Sequence, residues 1–166
     1  MSTSDPLSKT VGQSAVNDYA RLIFETDINA RGTVFGGRIM EIADMLAGIV
    51  ALRHTGMDCV TLSADSVKFL HPAVKGEILV FKASVNRAWT TSMEIGVKVY
   101  AQNTRTQEDR HICKAYFTFV GIGEDGKPAK IPRIVPETTD EKRRFEEAQI
   151  RRERRLAEDR EKQNRV

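Results

Sequence analysis

Ile39-Met40-Glu41-Ile42-Ala43-Asp44-Met45-Leu46-Ala47-Gly48-Ile49-Val50-Ala51-Leu52 is the stretch on which the fold turns. It is apolar almost without interruption. Its length and its alanine, methionine and leucine content favour helix over strand. Arg53-His54-Thr55-Gly56 ends it, with cations in the last turn and glycine just beyond. A helix apolar on nearly every side must be buried, so this segment predicts the central element of a domain.

Downstream the period becomes strand-like. Residues 59–69 alternate, with a slip near Asp65-Ser66, and residues 77–87, 92–102 and 112–122 follow. In 92–102, Met93, Ile95, Val97, Val99 and Ala101 share one face, while Glu94, Lys98 and Tyr100 share the other. The links are short: a turn at His71-Pro72, one around Trp89, and a charged loop over 103–110. Short links imply an antiparallel sheet. Upstream, residues 17–26 predict a first strand, with Ala20, Leu22 and Phe24 opposite Tyr19, Arg21 and Ile23. The order is strand, helix, then four strands. The fold class is α+β, a twisted antiparallel sheet wrapped around one helix.

The chain has 166 residues, enough for one domain and a tail. We divide it into a polar leader (1–14), a body (15–127), and a proline-punctuated connector with a charged helix (128–166). Thr138 and Glu141 predict a capping box for that helix, over 141–160. Its acids interleave with its arginines, which favours a solvated helix lying on the body or a neighbouring subunit over a nucleic-acid arm. A net charge of +3 demands no nucleic acid. No apolar run is long enough to span a membrane, and residues 1–13 lack the basic start and apolar stretch of a secretory signal. The expected setting is cytoplasmic. Cys59 and Cys113 lie in strand-like segments and read as buried, reduced thiols.

Three features suggest chemistry. Asp44 lies well past the first helical turn, where its charge would help the helix dipole, and an unpaired buried carboxylate is costly. Arg38, Glu41, Asp44 and Gly48 line one stripe. Either that stripe faces solvent with an Arg38–Glu41 pair, or Asp44 enters a cleft as base or nucleophile. Gly36-Gly37 at the helix start either makes a tight bend or presents bare amides to an oxyanion. Asn29 is either an ordinary turn asparagine or a group that orients water. The three histidines form no catalytic constellation, and no nucleophile elbow, phosphate-loop or metal-ligand cluster is present.

Together, Asp27-Ile28-Asn29-Ala30-Arg31-Gly32, Val34-Phe35-Gly36-Gly37, Met40 with Ile42-Ala43-Asp44, and Ala51-Leu52-Arg53-His54 resemble the hotdog-fold acyl-CoA thioesterases. The similar subgroup holds the bacterial YciA-type enzymes and the animal cytosolic acyl-CoA hydrolases. Val60-Thr61-Leu62-Ser63-Ala64-Asp65 with Phe69 and Pro72, then Thr91-Ser92-Met93-Glu94-Ile95, and Ala148 with Arg151-Arg152, extend the likeness. The resemblance implies a hotdog fold, acyl-CoA hydrolysis with coenzyme A (CoA) as part of the substrate and no other cofactor or metal, and no membrane or nucleic-acid partner. It implies dimers with sheets joined edge to edge, commonly assembled three at a time into a hexamer. It implies an active site with Asn29 from one subunit, Asp44 from its partner's helix and the Gly37 amide polarising the carbonyl. Phe69, Thr91, Ser92, Met93 and Arg151 would contact the CoA portion. The family usually has Gly-Arg-Thr-Ser where this chain has Trp89-Thr90-Thr91-Ser92, which removes a cation near the expected nucleotide end. The rival functions are a non-catalytic acyl-CoA sensor, a hotdog dehydratase, which would need a histidine ahead of the helix, and a polyanion-binding module.

Overall fold

The computed structural model describes residues 7–164; the rest of the expected leader, residues 1–6, lies outside them. Helix α1 spans Gly36–Thr55 and ends where Gly56 adopts the left-handed conformation at φ 70°. Glycine takes that conformation without the steric cost a Cβ brings. The strands are β1 (Ser8–Thr10), β2 (Val16–Leu22), β3 (Cys59–Phe69), β4 (Ile78–Ala88), β5 (Ser92–Gln102), β6 (Asp109–Gly121) and β7 (Arg133–Val135), and helix α2 spans Thr139–Gln163. The main sheet is antiparallel, in the order β2-β4-β5-β6-β3. The slip expected in β3 appears as register shifts between Thr61 and Ser63 and between Ala64 and Ser66.

The inner face of the sheet closes on α1. Met93, Ile95, Val97 and Val99 of β5 join Leu79 and Phe81 of β4 and Phe117 and Phe119 of β6 in one cluster with Ile42, Leu46, Ala47 and Val50 of α1. Alanines on the helix let the sheet approach closely. Leu46 is almost fully buried, and its truncation to alanine costs about 2–5 kcal/mol. This is the sheet wrapped around one helix that the apolar segment predicts, and the hotdog fold that the resemblance implies. The helix is not buried on every side: Met45 and Leu52 are exposed on one flank.

Two short strands add to the expected set. β1 pairs in parallel with β7, and Val11, Ile131 and Ile134 beside them are buried in the core.

Helix α2 lies across the outer face of the sheet. Thr138 caps it as expected: its hydroxyl accepts from the Glu141 amide, and the Glu141 carboxylate accepts from the Thr138 amide. Ala148 is its one fully buried residue, Phe145 packs half-buried against the core cluster, and polar contacts carry the rest of the docking. Arg151 forks onto Glu94, at 2.7 and 3.0 Å, and stacks on the Tyr116 ring. Arg155 pairs with Asp65 and Thr118. Arg144 donates to the Ser84 hydroxyl at 2.9 Å. Glu94 is 2% exposed and also accepts from Asn86 at 2.9 Å. A Cβ on Gly96 would come within 2.7 Å of the Asn86 amide, so only glycine leaves room for that side chain. Trp89 stacks under Arg152 and donates from Nε1 to Gln149. The position that departs from the family pattern therefore anchors α2.

Candidate active site

The loop before α1 is organised by Asp27, which is 3% exposed. Its carboxylate accepts from the Phe24 amide, from Arg21 at 2.9 Å and from Arg38 at 3.1 Å. Burial alone would raise this carboxyl, but the Phe24 amide and the two guanidiniums outweigh it and hold the pKa below the usual value. Arg38 also pairs with Glu41, as the solvent-facing reading of the stripe predicts. Asp27 thus ties the loop to the first turn of the helix. Nothing in the sequence reading singled it out as a site-building residue.

Asn29 closes the next turn. Its side-chain oxygen accepts from the Arg31 amide at 2.9 Å and the Thr33 amide at 3.3 Å, and its Nδ2 donates to the Thr33 hydroxyl at 3.0 Å. This is the behaviour of a turn asparagine. The second Nδ2 hydrogen has no acceptor among the described residues.

The loop delivers the chain to Gly36 and Gly37, whose amides also donate to no acceptor among the described residues, while Arg38 N–H already bonds back to the Phe35 carbonyl. No side chain caps this end. Open amides at a helix N-terminus carry partial positive charge and suit a developing oxyanion. Phe69, at the end of β3, lies over the same spot: a Cβ on Gly36 would sit 3.2 Å from its ring. Phe35 covers Gly37 in the same way. Both rings are exposed.

Asp44 sits eight residues further on, about 12 Å along the axis. It is half-buried, and its Oδ1 accepts from the Thr61 hydroxyl at 2.9 Å. Oδ2 has no partner among the described residues. Thr61 is a further candidate that sequence alone does not single out, because a threonine in a strand carries no local signal. No hydrogen bond joins Asp44 to Asn29 within the chain. The candidate residues of one chain therefore fall into two separate groups. The first is Asn29, Gly37 and Phe69 at the start of α1. The second is Asp44 with Thr61.

Thr91 and Ser92 stand at the β4–β5 turn, half-exposed, one row beyond the Thr61–Phe119–Met93 row of the sheet. The Met93 side chain is fully buried in the core. Arg151 spends its guanidinium on Glu94. Both cysteines are free. Burial pushes the Cys113 thiol up to about 11, and burial likewise raises Cys59, so neither is a ready nucleophile. His54 is buried at the far end of α1, its Nε2 2.8 Å from the Pro132 carbonyl oxygen. Among the described residues no cluster of three or more histidine, cysteine or acidic side chains could hold a metal ion.

Among known proteins, residues 31–108 match the thioesterase superfamily. The chain is 39% identical over 119 residues to the uncharacterized acyl-CoA thioester hydrolase YkhA of Bacillus subtilis, which covers 72% of this chain and 69% of YkhA. Its structure is similar to an acyl-CoA hydrolase from Staphylococcus aureus, characterised in complex with butyryl-CoA, CoA and CoA disulfide. The TM-score is 0.88 at 36% identity, covering 95% of each chain. That hydrolase is also known with alanine replacing an aspartate, a threonine or an asparagine. An apo-hexameric acyl-CoA thioesterase is similar too, with a TM-score of 0.88 at 35% identity over 91% of this chain and 96% of the other.

Proposed function

The chain belongs to the hotdog-fold acyl-CoA thioesterases of the thioesterase superfamily, and we propose that it hydrolyses acyl-CoA thioesters at a site completed by a second copy of itself. The observation that carries this reading is the Asp44 carboxylate. It lies mid-helix and half-buried, with one oxygen held by Thr61 and the other open. An acid placed there has no role in folding the helix and is already aimed.

The second copy follows from reading those two groups as half-sites. β3 is the last strand of the sheet, so one of its edges is unpaired. Leu62 on it is 65% exposed, and Val60 and Phe69 are exposed as well. An open, apolar strand edge is a pairing surface. Two-fold antiparallel pairing of two such edges sets the Phe69 end of one subunit against the Thr61 end of the other. That brings Asn29 and Gly37 of one chain towards Asp44 of its partner. Three such dimers would form a hexamer, as in the hexameric relative.

In this mechanism Asp44 takes a proton from a water as the water attacks the thioester carbonyl carbon. The free Nδ2 hydrogen of Asn29 orients that water. The Gly37 N–H receives the oxyanion. The tetrahedral intermediate collapses, the carbon–sulfur bond breaks, and Asp44 returns the proton to the CoA sulfur. The products are CoA and a free carboxylic acid, and no cofactor takes part. The Phe69 ring and the Thr91 and Ser92 hydroxyls are the surfaces offered to the CoA portion. Met93 and Arg151 act from behind them, by packing and by holding α2. Residues 15–127 form the catalytic domain, and the described part of the connector and tail, 128–164, buttresses it. No helix among the described residues is long and apolar enough to cross a membrane. Two free thiols fit a reducing, cytoplasmic setting.

The test is release of free thiol from a panel running from acetyl-CoA to palmitoyl-CoA. The wild type turns over at least one member, and Asp44→Asn lowers its kcat by about 10²–10⁴ with the circular dichroism spectrum unchanged. No thiol release from any member would reject the assignment.

A further inference from the structure

The outer face of the sheet carries a feature that thioester hydrolysis does not use. Lys82 pairs directly with Lys98, Lys98 with Lys114, and Lys114 with Lys68. Directly paired residues point to the same face of a sheet. Four lysines therefore stand in one row across β4, β5, β6 and β3, spanning about 14 Å at the usual strand spacing.

Like charges placed opposite one another on neighbouring strands destabilise a sheet. Carboxylates near the row relieve this only in part, because most of them are held by the arginines of α2 or, for Glu141, by the Glu137 and Thr138 amides. Asp65 goes to Arg155, Glu94 to Arg151, and Asp140 and Glu147 to Arg143. None of the four lysines forms an ion pair among the described residues. Lys82 and Lys114 rest instead over the faces of Tyr100 and Tyr116.

The row is also recessed. α2 crosses the same strands at the level of Ser84 and Glu94, so it stands beside the lysines as a wall. Between wall and floor lie two adjoining cavities that share Lys114. One, of about 430 Å³, is lined by Lys82, Lys98, Arg143 and Arg144 together with Asp140, Glu141 and Glu147; the other, of about 510 Å³, by Lys68, Arg154 and Arg155 together with Asp65 and Glu158, so cations outnumber acids in both. Cavities of this size accept a small molecule. A flat membrane cannot reach the floor past α2, and a 14 Å row is short for a nucleic-acid track.

We propose that this trough is a binding site for the phosphate groups of a small polyphosphorylated molecule, held by Lys98 and Lys114 at its centre. Its anionic charge supplies the counter-charge that the neighbouring acids give the row only in part. The chemistry has two sources, a free nucleoside polyphosphate or the nucleotide half of a CoA molecule. The trough lies on the opposite face of the sheet from Asp44, and its test reads binding, so it stands or falls separately from the hydrolase reading.

The test is calorimetric titration of the full chain with inorganic pyrophosphate, ATP and CoA at low salt, in the wild type, in Lys98→Gln/Lys114→Gln and in Lys98→Arg/Lys114→Arg. Binding of pyrophosphate and ATP that falls at least about tenfold in the glutamine pair and is kept in the arginine pair supports the site with a free polyphosphate as ligand. The same pattern for CoA alone supports it with the CoA nucleotide as ligand. The thermal midpoint of the glutamine pair should equal or exceed that of the wild type, since facing like charges are removed, so lost binding is not lost folding. Equal binding of all three probes by wild type and glutamine pair, or no binding of any, overturns the proposal.

Discussion

Replacing Arg151 with methionine separates two roles for this residue, a contact to the phosphates of CoA and a clamp on α2. In the structure its guanidinium makes both of its short bonds to Glu94, which is 2% exposed. Methionine keeps much of the apolar stem against Tyr116 and removes the charge. Glu94 is then a buried carboxylate with Asn86 alone as donor. Breaking a buried pair in this way costs about 3–5 kcal/mol. Arg151 itself is 23% exposed, and water entering from that side favours the lower end, about 3 kcal/mol. For a chain of this size each kcal/mol moves the midpoint by about 2–4 °C, so the fall is about 6–12 °C. Scanning calorimetry at fixed protein concentration measures it. Arg151→Met/Glu94→Gln should recover part of the loss, because the stranded charge is gone. A midpoint unchanged in Arg151→Met, with KM for acyl-CoA raised instead, would refute the clamp and give the residue to the substrate.

Three further outcomes follow from the same geometry. Thr61→Val removes the hydroxyl that fixes Asp44 and keeps the shape, so kcat should fall by about tenfold with KM little changed; removal of one hydrogen bond to a charged group is of that size. Burial holds the His54 pKa below its usual value, despite its bond to the Pro132 carbonyl. The unfolded chain then binds the proton more readily than the folded one, so His54 lends full stability above about pH 6.5 and progressively less below it. Thermal midpoints between pH 7 and pH 5 should therefore fall more steeply in the wild type than in His54→Gln. Single-turnover hydrolysis in water labelled with oxygen-18 should leave the Asp44 carboxylate unlabelled by mass spectrometry; label in that side chain would replace the general base with a covalent anhydride.

Period made most of the fold legible. Helix α1 and strands β3 to β6 are long enough for apolar spacing to declare itself, and β5 begins and ends where alternation places it. β1 and β7 have three residues each and pair across more than a hundred residues of chain, so neither shows a pattern of its own. α2 was legible as a helix through its capping box. Its docking was not, because it rests on Arg144, Arg151 and Arg155 meeting Ser84, Glu94 and Asp65. A charged residue in a solvated helix and one in a tertiary ion pair look alike in sequence. At the site, Asp44 stood out because an acid is out of place in an apolar helix. Thr61 and Asp27 did not, since their partners are set by strand β3 and by the turn before α1. Asn29 closes a turn, as one of its two readings expects, and keeps one amide hydrogen free for the role proposed for it.

The claim that Asp44 of one subunit works with Asn29 of another is tested most directly by mixing two inactive variants. Asp44→Asn and Asn29→Ala are combined in equal amounts, allowed to exchange subunits, and assayed for thiol release. In a two-fold dimer half of the pairs are then mixed, and each mixed pair has one intact site out of two. The account predicts recovery of about a quarter of wild-type activity. Exchange proven by mass-tagged subunits, with activity still at the level of the separate variants, would contradict it.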